Sequence, residues 1–471
     1  MHNSLILGTG LSSLVAALTL SNDSSNEVLI FMDGKSFGAH FMGQKIDGFS
    51  FDNGMIYLEP ASNMENSTKD ITRPYNPELR YDWTRFGRQL NEFLSENISL
   101  RQVDTPLSYI DGAYYPDLLI ANRLDSVADI INSRGPRISF LNSSHPKYKN
   151  IDPYWDNFLY VDAAKIFHGE DLSELIENSF FKKFCPPGQL NKILAKYHRM
   201  LWLPLFYPET IQSAMQGLKQ ESLKEYKFFA PSSGFVGEFV QNLVDKLKVR
   251  KNVKLYPDSI KSISIDDNHI NINSGDLHAT FAVNSPIYSS LSMDRLLHLS
   301  DENICPNKAI ECTGVHLCYV VVKKEFIKNL FSTLNILDSS ESAMRISNMD
   351  TFASNDEKYA RVTIEYPLNF SAPSGGTPPG DDAVMSDIHK HIFRAVIPAD
   401  PDAIRILKKI TLNKALALPT LENLTIYKKL RQLMTEKLPL VNCFGSASHY
   451  GAASMNDQII QGLSVGKNFY E

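Results

Sequence analysis

The beginning of the chain alternates apolar runs with glycine-rich and polar segments, in the order of a strand, a helix and a second strand. A short apolar run ending at Leu7 leads into Gly8-Thr-Gly10, and a segment of small and apolar residues follows it. A second apolar run begins at Val28 and ends at Asp33. This order predicts a βαβ unit with a glycine turn after its first strand, the layout of a dinucleotide-binding motif.

Each position in the glycine turn has a physical role in such a motif. Gly8 allows the tight turn out of the strand, and Gly10 lets the backbone approach a pyrophosphate. Leu11, Ser12 and Ser13 then open the helix, whose first N–H groups and dipole attract phosphates. Ser13 stands where the motif usually has a third glycine, and its small side chain still allows the helix to pack closely on the strand.

An acidic residue follows the second strand at the spacing typical of the motif. Asp33 lies 23 residues after Gly10, and Gly34 follows it directly. Dinucleotide-binding motifs place a carboxylate about 20 residues further on, where it accepts hydrogen bonds from ribose hydroxyls. We therefore expect Asp33 to bind the ribose of a dinucleotide.

The rest of the chain contains further helical and strand-like patterns. Helical periodicity covers residues 162–196, which we interpret as a helical cap, and helices are also predicted at residues 238–247 and 455–466. Strand patterns cover residues 253–256, 260–265, 269–272, 277–283, 315–322, 359–366 and 440–444. Residues 371–382 are rich in Pro, Gly and Asp and predict a loop. The return to strands after the cap predicts a nucleotide domain assembled from separated segments.

The densest aromatic stretch runs from Tyr197 to Glu209. Its aromatic residues are expected to pack in the core or at a helix end, because they bury much apolar surface and Pro204 marks the end of a helix. A wall of a ligand pocket is the alternative, with His198 and Arg199 as its polar groups. Arg199 needs a partner in either case, since a guanidinium among apolar neighbours is rarely buried alone.

The composition is that of an ordinary globular protein. Of 471 residues, 43% are hydrophobic and 21% are charged, and this length favours roughly two to four domains. The net charge of −6 gives no electrostatic reason to expect nucleic acid as a partner. No apolar run approaches the ~20 residues of a membrane-spanning helix, whereas peripheral contact between an apolar substrate channel and a bilayer is left open.

The five cysteines are scattered and form no CxxC pair or His-Cys cluster. Such a set is typical of reduced, buried thiols, so we expect no metal site, no disulfide scaffold and a cytoplasmic location. The chain enters a strand almost at once, which leaves no room for a signal peptide. The expected partner is a small-molecule substrate, and the pattern predicts no particular oligomeric state.

These motifs together resemble the superfamily of FAD-dependent amine oxidases and protoporphyrinogen oxidases, which also includes UDP-galactopyranose mutase. Gly8, Gly10 and Asp33 match its N-terminal motif, and the stretch around Phe444-Gly445 resembles the strand and helix that close over the flavin. The resemblance implies an α/β fold class, with a Rossmann-type, GR2-like FAD-binding domain and a second α+β substrate domain with a helical cap. It assigns residues 1–60, 229–285 and 420–471 to the FAD-binding domain, and residues 61–228 and 286–419 to the substrate domain.

The resemblance also implies a set of FAD-binding residues. Gly38-Ala39-His40 stands where the family usually has paired glycines and an arginine, Phe51-Asp-Asn-Gly54 looks like the segment that reaches the flavin ring, and Val253 lies in the strand beside the adenine. The implied FAD-binding residues are Gly8, Gly10, Leu11, Ser12, Ser13, Asp33, Gly34, Gly38, Ala39, His40, Gly54, Met55, Val253, Gly445, Ser446 and Met455. The candidate catalytic residues are His449, Tyr450 and Arg199.

Three functions are open at this point. The first is an amine oxidase-like FAD oxidoreductase, in which a hydride passes to flavin N5 from a small organic substrate, at a carbon next to nitrogen or in an activated ring. The second is a non-redox mutase of nucleotide sugars, which needs arginines such as Arg199, Arg345 and Arg361 to hold a diphosphate. The third is a flavin-fold binding protein without catalysis.

One further pair of residues has two interpretations. Arg361 and Glu365 lie four positions apart in a predicted strand, so both point to the same face. They form either a pocket pair or a surface ion pair.

Overall fold

The structure, a computed structural model, describes most of the chain. The described ranges are 2–34, 36–58, 86–104, 106–110, 112–116, 158–177, 183, 189–201, 203, 205, 228–266, 269–282, 285–302, 310–338, 340–352, 358–368, 377–393, 399–445 and 454–465. Among these residues no helix is long and apolar enough to cross a membrane.

The strands and helices of the described residues are numbered in chain order. The strands are β1 (His2–Leu7), β2 (Asn26–Phe31), β3 (Gln44–Ile46), β4 (Phe49–Phe51), β5 (Leu100–Val103), β6 (Leu107–Ile110), β7 (Ala113–Pro116), β8 (Phe228–Pro231), β9 (Val253–Tyr256), β10 (Ile260–Ile265), β11 (His269–Ser274), β12 (Leu277–Ala282), β13 (Ile287–Ser289), β14 (Cys312–Lys323), β15 (Thr333–Ile336), β16 (Arg345–Ser347), β17 (Tyr359–Pro367), β18 (Ile404–Ala417) and β19 (Val441–Cys443). The helices are α1 (Leu11–Leu20), α2 (Gly87–Asn97), α3 (Tyr160–His168), α4 (Glu170–Ile176), α5 (Gly237–Lys248), α6 (Met293–Ser300), α7 (Asp381–His391), α8 (Leu421–Lys437) and α9 (Met455–Ser464).

A parallel sheet of five strands, in the order β19-β13-β1-β2-β9, carries the glycine motif. Its strands are apolar on both faces, as expected of a parallel sheet covered on both sides. Ile6 points into a core shared with α1, α5 and α9, whereas Leu5 and Leu7 point into a core shared with α6 and α8. This alternation places α1 on one face of the sheet and α6 on the other.

A second sheet has seven strands in the order β18-β14-β17-β16-β15-β6-β7, and all pairs except β15 with β6 are antiparallel. β14 is covered on both faces. Leu317 and Tyr319 face the core beneath α3 and α4, and Val320 faces the core beneath α7. The predicted fold class is therefore confirmed, because a Rossmann-like parallel sheet is joined to a second α+β unit with helices above it.

Three elements differ from the sequence-based expectations. Residues 286–419 were assigned to the substrate domain, but β13 lies at the start of this range and pairs with β1, so this stretch belongs to the parallel sheet. The end of the predicted loop, Asp381 and Asp382, forms the first turn of α7, where acidic side chains favour the helix dipole. The long strand β18 was not predicted. The assignment of the chain to two domains otherwise stays a prediction.

Candidate dinucleotide-binding site

The glycine turn has the geometry that its sequence predicts. Gly8 has a φ of +89°, and its N–H donates to the carbonyl oxygen of Phe31 at 2.8 Å. A Cβ atom at this position would lie 2.8 Å from Leu291 Cδ2. Gly8 therefore meets two demands, a left-handed backbone and close contact with the chain after β13, that only glycine satisfies without strain.

The N-terminus of α1 opens directly after this turn. Gly10 is its N-cap residue, and no side chain caps the helix. The Gly10 N–H donates to Ser290 Oγ at 3.2 Å, and the Ser13 hydroxyl lies 2.8 Å from the same oxygen. Ser290 thus holds the edge of the turn. The other first-turn N–H groups keep the uncapped, electropositive character of a helix N-terminus, which favours an anion.

A buried hydroxyl marks the same place. Ser12 is fully buried, and its Oγ has no hydrogen-bond partner among the described residues. A Cβ atom on Gly445 would lie 2.8 Å from this oxygen, and Gly445 itself has a φ of +68°. A buried hydroxyl without a partner costs about 1–3 kcal/mol. A phosphate oxygen at the helix N-terminus would satisfy it.

The C-terminal segment, which the resemblance implies closes over a flavin, packs on α1. α9 packs on α1, and a Cβ atom on Gly462 would lie 2.6 Å from Val15 Cβ. Met455, at the start of α9, is buried in the core it shares with α1. The N–H of Gly445 donates to Gln461 Oε1 at 2.6 Å. Ser446, which was also implied to bind FAD, lies outside the described residues.

Asp33 has a different environment from the one the motif predicts. Arg295, on α6, forms a two-point ion pair with it, with Nε to Oδ2 and Nη2 to Oδ1 both at 2.9 Å. Arg295 Nη2 also donates to the carbonyl oxygen of Ile260 at 3.0 Å. The Asp33 side chain is 12% exposed. Gly34 beside it is exposed and lies in open space.

The segment after Asp33 lies against the glycine turn. Gly38 has a φ of +70°, its N–H donates to the carbonyl oxygen of Thr9 at 2.6 Å, and Val240 of α5 fills the place of a Cβ atom. Ala39 also has a positive φ, of 51°. His40 is exposed, and its carbonyl oxygen accepts from Asn53 Nδ2 at 3.0 Å.

Gly54 and Met55 are held by a buried ion pair that the sequence did not predict. The Met55 N–H donates to Glu365 Oε1 at 3.1 Å, and Gly54, with a φ of +93°, leaves room for this carboxylate. Arg345 pairs with Glu365 at 2.9 Å, and both side chains are less than a tenth exposed. The pair fixes the segment that the resemblance places near a flavin.

The two interpretations of Arg361 and Glu365 both assumed that they face each other, and the structure corrects them. Arg361 pairs with Asp350 instead, and its guanidinium also donates to the carbonyl oxygens of Ser50 and Ser233. Each side chain has its own partner from a neighbouring segment: a carboxylate, Asp350, for Arg361 and a guanidinium, that of Arg345, for Glu365.

Asp52 joins the same region to the start of α5. Its Oδ1 accepts the N–H of Val236 at 3.0 Å. Burial raises the pKa of the Asp52 carboxyl to about 7, against the opposing effects of the Val236 N–H and the nearby Arg361. A carboxyl group of this kind changes charge near neutral pH.

The predicted catalytic residues stay predictions. His449 and Tyr450 lie outside the described residues. Arg199 belongs to a 3₁₀ helix, Ala195–Leu201, and the structure describes its backbone alone. His198, its neighbour, uses Nδ1 to bind the carbonyl oxygen of Leu203 at 2.7 Å. Val253 is in β9 as predicted, paired with Val28 of β2.

A polar cluster in the second domain was also missed by sequence reasoning. Lys183 is 2% exposed, and burial lowers the pKa of its ammonium to about 7. Near it lie Glu341, Asp387 and His391, whose side-chain nitrogen and oxygen atoms of the kind that bind metals are within 4.8 Å of one another. Lys390 pairs with Glu341 and supplies a positive charge beside it, and the Lys183 ammonium donates to the carbonyl oxygens of Ile336 and Ala343. Residues so distant in the sequence gave no spacing pattern from which to predict the cluster.

Comparisons with known proteins agree with this class of fold. A model of the NAD(P)-binding Rossmann-like domain family matches residues 6–73, the range that contains α1 and β2. No curated protein sequence matches the chain. The match at the level of sequence is thus limited to residues 6–73, which contain the nucleotide motif.

Solved structures match the chain over nearly its whole length. A reduced UDP-galactopyranose mutase aligns with 98% of this chain and 92% of its own, with 11% identity and a TM-score of 0.67. A candidate protoporphyrinogen oxidase from Exiguobacterium sp. 255-15 aligns with 98% and 97%, with 11% identity and a TM-score of 0.59. A putrescine oxidase variant aligns with 98% and 96%, with 12% identity and a TM-score of 0.55. The chain therefore shares its fold with these solved structures.

The residues at the α1 end of this site fit the diphosphate of FAD. Among the described residues, the uncapped N-terminus of α1 and the Ser12 hydroxyl lack an acceptor of the kind that a diphosphate provides, whereas the N–H groups of Gly8 and Gly10 already donate to Phe31 and Ser290. The carboxylate that would bind the adenosine ribose is present, but it is engaged by Arg295.

Proposed function

We propose that the protein is an FAD-dependent oxidoreductase with amine oxidase-like chemistry. The observation that carries the proposal is the buried Ser12 hydroxyl at the uncapped N-terminus of α1, directly after the glycine turn. Bound FAD would supply the redox chemistry by accepting a hydride from a small organic substrate at N5. The substrate class is a small amine or an activated ring.

The chain's own residues position and shield such a reaction. The uncapped first-turn N–H groups of α1 and the Ser12 hydroxyl would bind the diphosphate, while Gly8 and Gly10 let the backbone of the turn approach it. The Glu365–Arg345 pair holds Gly54 and Met55 in a fixed place beside the proposed flavin position. A rigid, buried wall of this kind excludes water from a flavin ring and orients the substrate.

The state of the arginines favours the oxidoreductase over the mutase. A nucleotide-sugar mutase needs guanidinium groups that can hold a substrate diphosphate. Arg345 is committed to Glu365 and Arg361 to Asp350, both in buried pairs. Breaking such a pair leaves a buried carboxylate uncompensated, which costs about 3–5 kcal/mol. Neither arginine is therefore a favourable diphosphate ligand.

The test is anaerobic reduction of the FAD-reconstituted protein by a panel of amines and cyclic donors. Bleaching of the flavin absorption by at least one donor is the expected result. Binding of UDP or a UDP-sugar, seen as an increase in melting temperature, together with no reduction by any donor, would favour the mutase instead. A protein that retains no flavin after reconstitution would be a flavin-fold binding protein without catalysis.

A further inference from the structure

Arg295 has a fixed position on the side of the sheet opposite to α1. It lies on α6, and its neighbours Leu296 and Leu297 are fully buried in the core between α6, α8 and the parallel sheet. α6 follows β13, which pairs directly with β1. The backbone of Arg295 is therefore held by the same packing that holds the nucleotide motif.

Its guanidinium covers the edge where β2 and β9 end. Asp33 follows β2, and Ile260 lies shortly after β9, the strand that the resemblance places beside the adenine. Arg295 makes three hydrogen bonds of 2.9–3.0 Å there, two to the Asp33 carboxylate and one to the Ile260 carbonyl oxygen. One side chain thus binds the carboxylate that follows β2 and a backbone carbonyl oxygen shortly after β9.

The geometry of the Asp33–Arg295 pair affects whether Asp33 can also bind a ribose. A side-on guanidinium uses both carboxylate oxygens along one edge of the carboxylate plane. The two adjacent hydroxyls of a ribose would approach the same two oxygens from the same edge. Arg295 and a ribose diol therefore compete for this edge of the Asp33 carboxylate. Since the Arg295 side chain is 36% exposed, it has room to turn away towards solvent.

We propose that Arg295 is a specificity-determining residue of the dinucleotide site, which occupies the adenosine position until an adenosine-containing ligand displaces it from Asp33. The proposal rests on the proposed FAD site. It accounts for the paired state of Asp33 at the β2 end. A consequence is that the adenosine half of FAD adds little affinity in the wild-type protein.

Titrations of the full-length apoprotein with FAD, FMN and ADP test this assignment. FMN lacks adenosine, whereas ADP lacks the flavin, so the two ligands separate the two ends of the site. Arg295→Gln is expected to bind FAD and ADP about tenfold more tightly than the wild type, a difference of about 1.4 kcal/mol. Its affinity for FMN is expected to be unchanged.

Lys254→Gln is the matched control. It removes the same charge from the neighbouring strand β9, where Lys254 pairs with Glu27 at 2.7 Å and is 55% exposed. All three affinities should stay at the wild-type values. Arg295→Lys is the second variant, because it keeps the charge and loses the two-point contact. It should bind FAD and ADP with an affinity between those of the wild type and Arg295→Gln.

Two results would overturn the proposal. One is an Arg295→Gln protein, folded by its melting curve, that binds FAD and ADP no more tightly than the wild type. The other is weaker binding, which would show that Arg295 supports the cofactor. Tighter ADP binding without flavin reduction by any donor would instead refute the proposed oxidoreductase and leave the role of Arg295 standing.

Discussion

The two ends of the dinucleotide site differ in what they lack. At the α1 end, the glycine turn, an uncapped helix and the Ser12 hydroxyl lack an anion. At the β2 end, Asp33 already has a cation, Arg295, from 262 positions further along the chain. The comparison shows that a motif can keep its local geometry while a distant residue changes what part of it is able to bind.

The substitution with the largest expected effect is Gly8→Ala, in the glycine turn before α1. Gly8→Ala places a Cβ atom 2.8 Å from Leu291 Cδ2 on a backbone with a φ of +89°. We expect a loss of roughly 2–4 kcal/mol in unfolding free energy and loss of detectable FAD binding. Urea denaturation and flavin titration measure the two effects.

Gly112→Ala is the control that separates backbone strain from the close side-chain contact at Gly8. Gly112 has a similar φ of +81°, but no atom lies within 4 Å of its Cβ position. We expect a cost of about 1–2 kcal/mol from the backbone alone and normal FAD binding. Equal effects of the two substitutions would contradict the role of the close contact at Gly8.

The unfolding free energy should depend on pH through Asp52, which binds the start of α5. Its folded-state pKa of about 7 lies above the ordinary value of 3.8, so the folded protein holds a proton that the unfolded chain releases. Stability contributed at this site is therefore lost as the pH rises from about 4 to about 7. Asp52→Asn removes this dependence and keeps an oxygen for the Val236 N–H.

The measurement is the unfolding free energy of the wild type and Asp52→Asn across that pH range. The variant should gain about 2 kcal/mol relative to the wild type between the acidic and the neutral end, allowing for partial solvent screening. Subtracting one curve of unfolding free energy against pH from the other cancels the contributions of the other carboxylates. A difference that stays flat with pH would refute the raised pKa of Asp52.

Ser12→Ala should separate binding from stability. The hydroxyl has no partner among the described residues, so removing it should leave the unfolding free energy unchanged or raise it by up to about 1 kcal/mol. The affinity for FAD should fall about tenfold, because a hydrogen bond to a charged phosphate is worth about 1.5 kcal/mol or more.

Ser13→Ala is the control from the same turn. Its hydroxyl is bonded to Ser290 at 2.8 Å, so its loss should cost about 1 kcal/mol of stability and change FAD affinity less than Ser12→Ala does. A larger loss of FAD affinity in Ser13→Ala than in Ser12→Ala would place the diphosphate at Ser13 and contradict its assignment to Ser12.

The parts of the site that sequence predicted are those built from neighbouring residues. Gly8, Gly10 and α1 follow from spacing within one turn and one helix, and the family match to residues 6–73 covers the same range. Ser290, Arg295 and Glu365 complete the site from 262 to 310 positions away. Their contacts depend on how the two sheets assemble, which periodicity along the chain does not encode.

The fold shows the same division. The order of β1, α1 and β2 follows from apolar runs that are buried on both faces. β18 carries polar residues at many positions and lies at the edge of the second sheet, where no strand of the described residues pairs with its outer side. An edge strand of this composition gives a weak apolar pattern, so it was not predicted.

The most direct test of the central claim is the visible absorption spectrum of the protein after incubation with FAD and removal of unbound ligand. We expect flavin absorption bands and the release of FAD by acid, with Gly8→Ala colourless under the same treatment. A wild-type protein that stays colourless would contradict an FAD site at the N-terminus of α1.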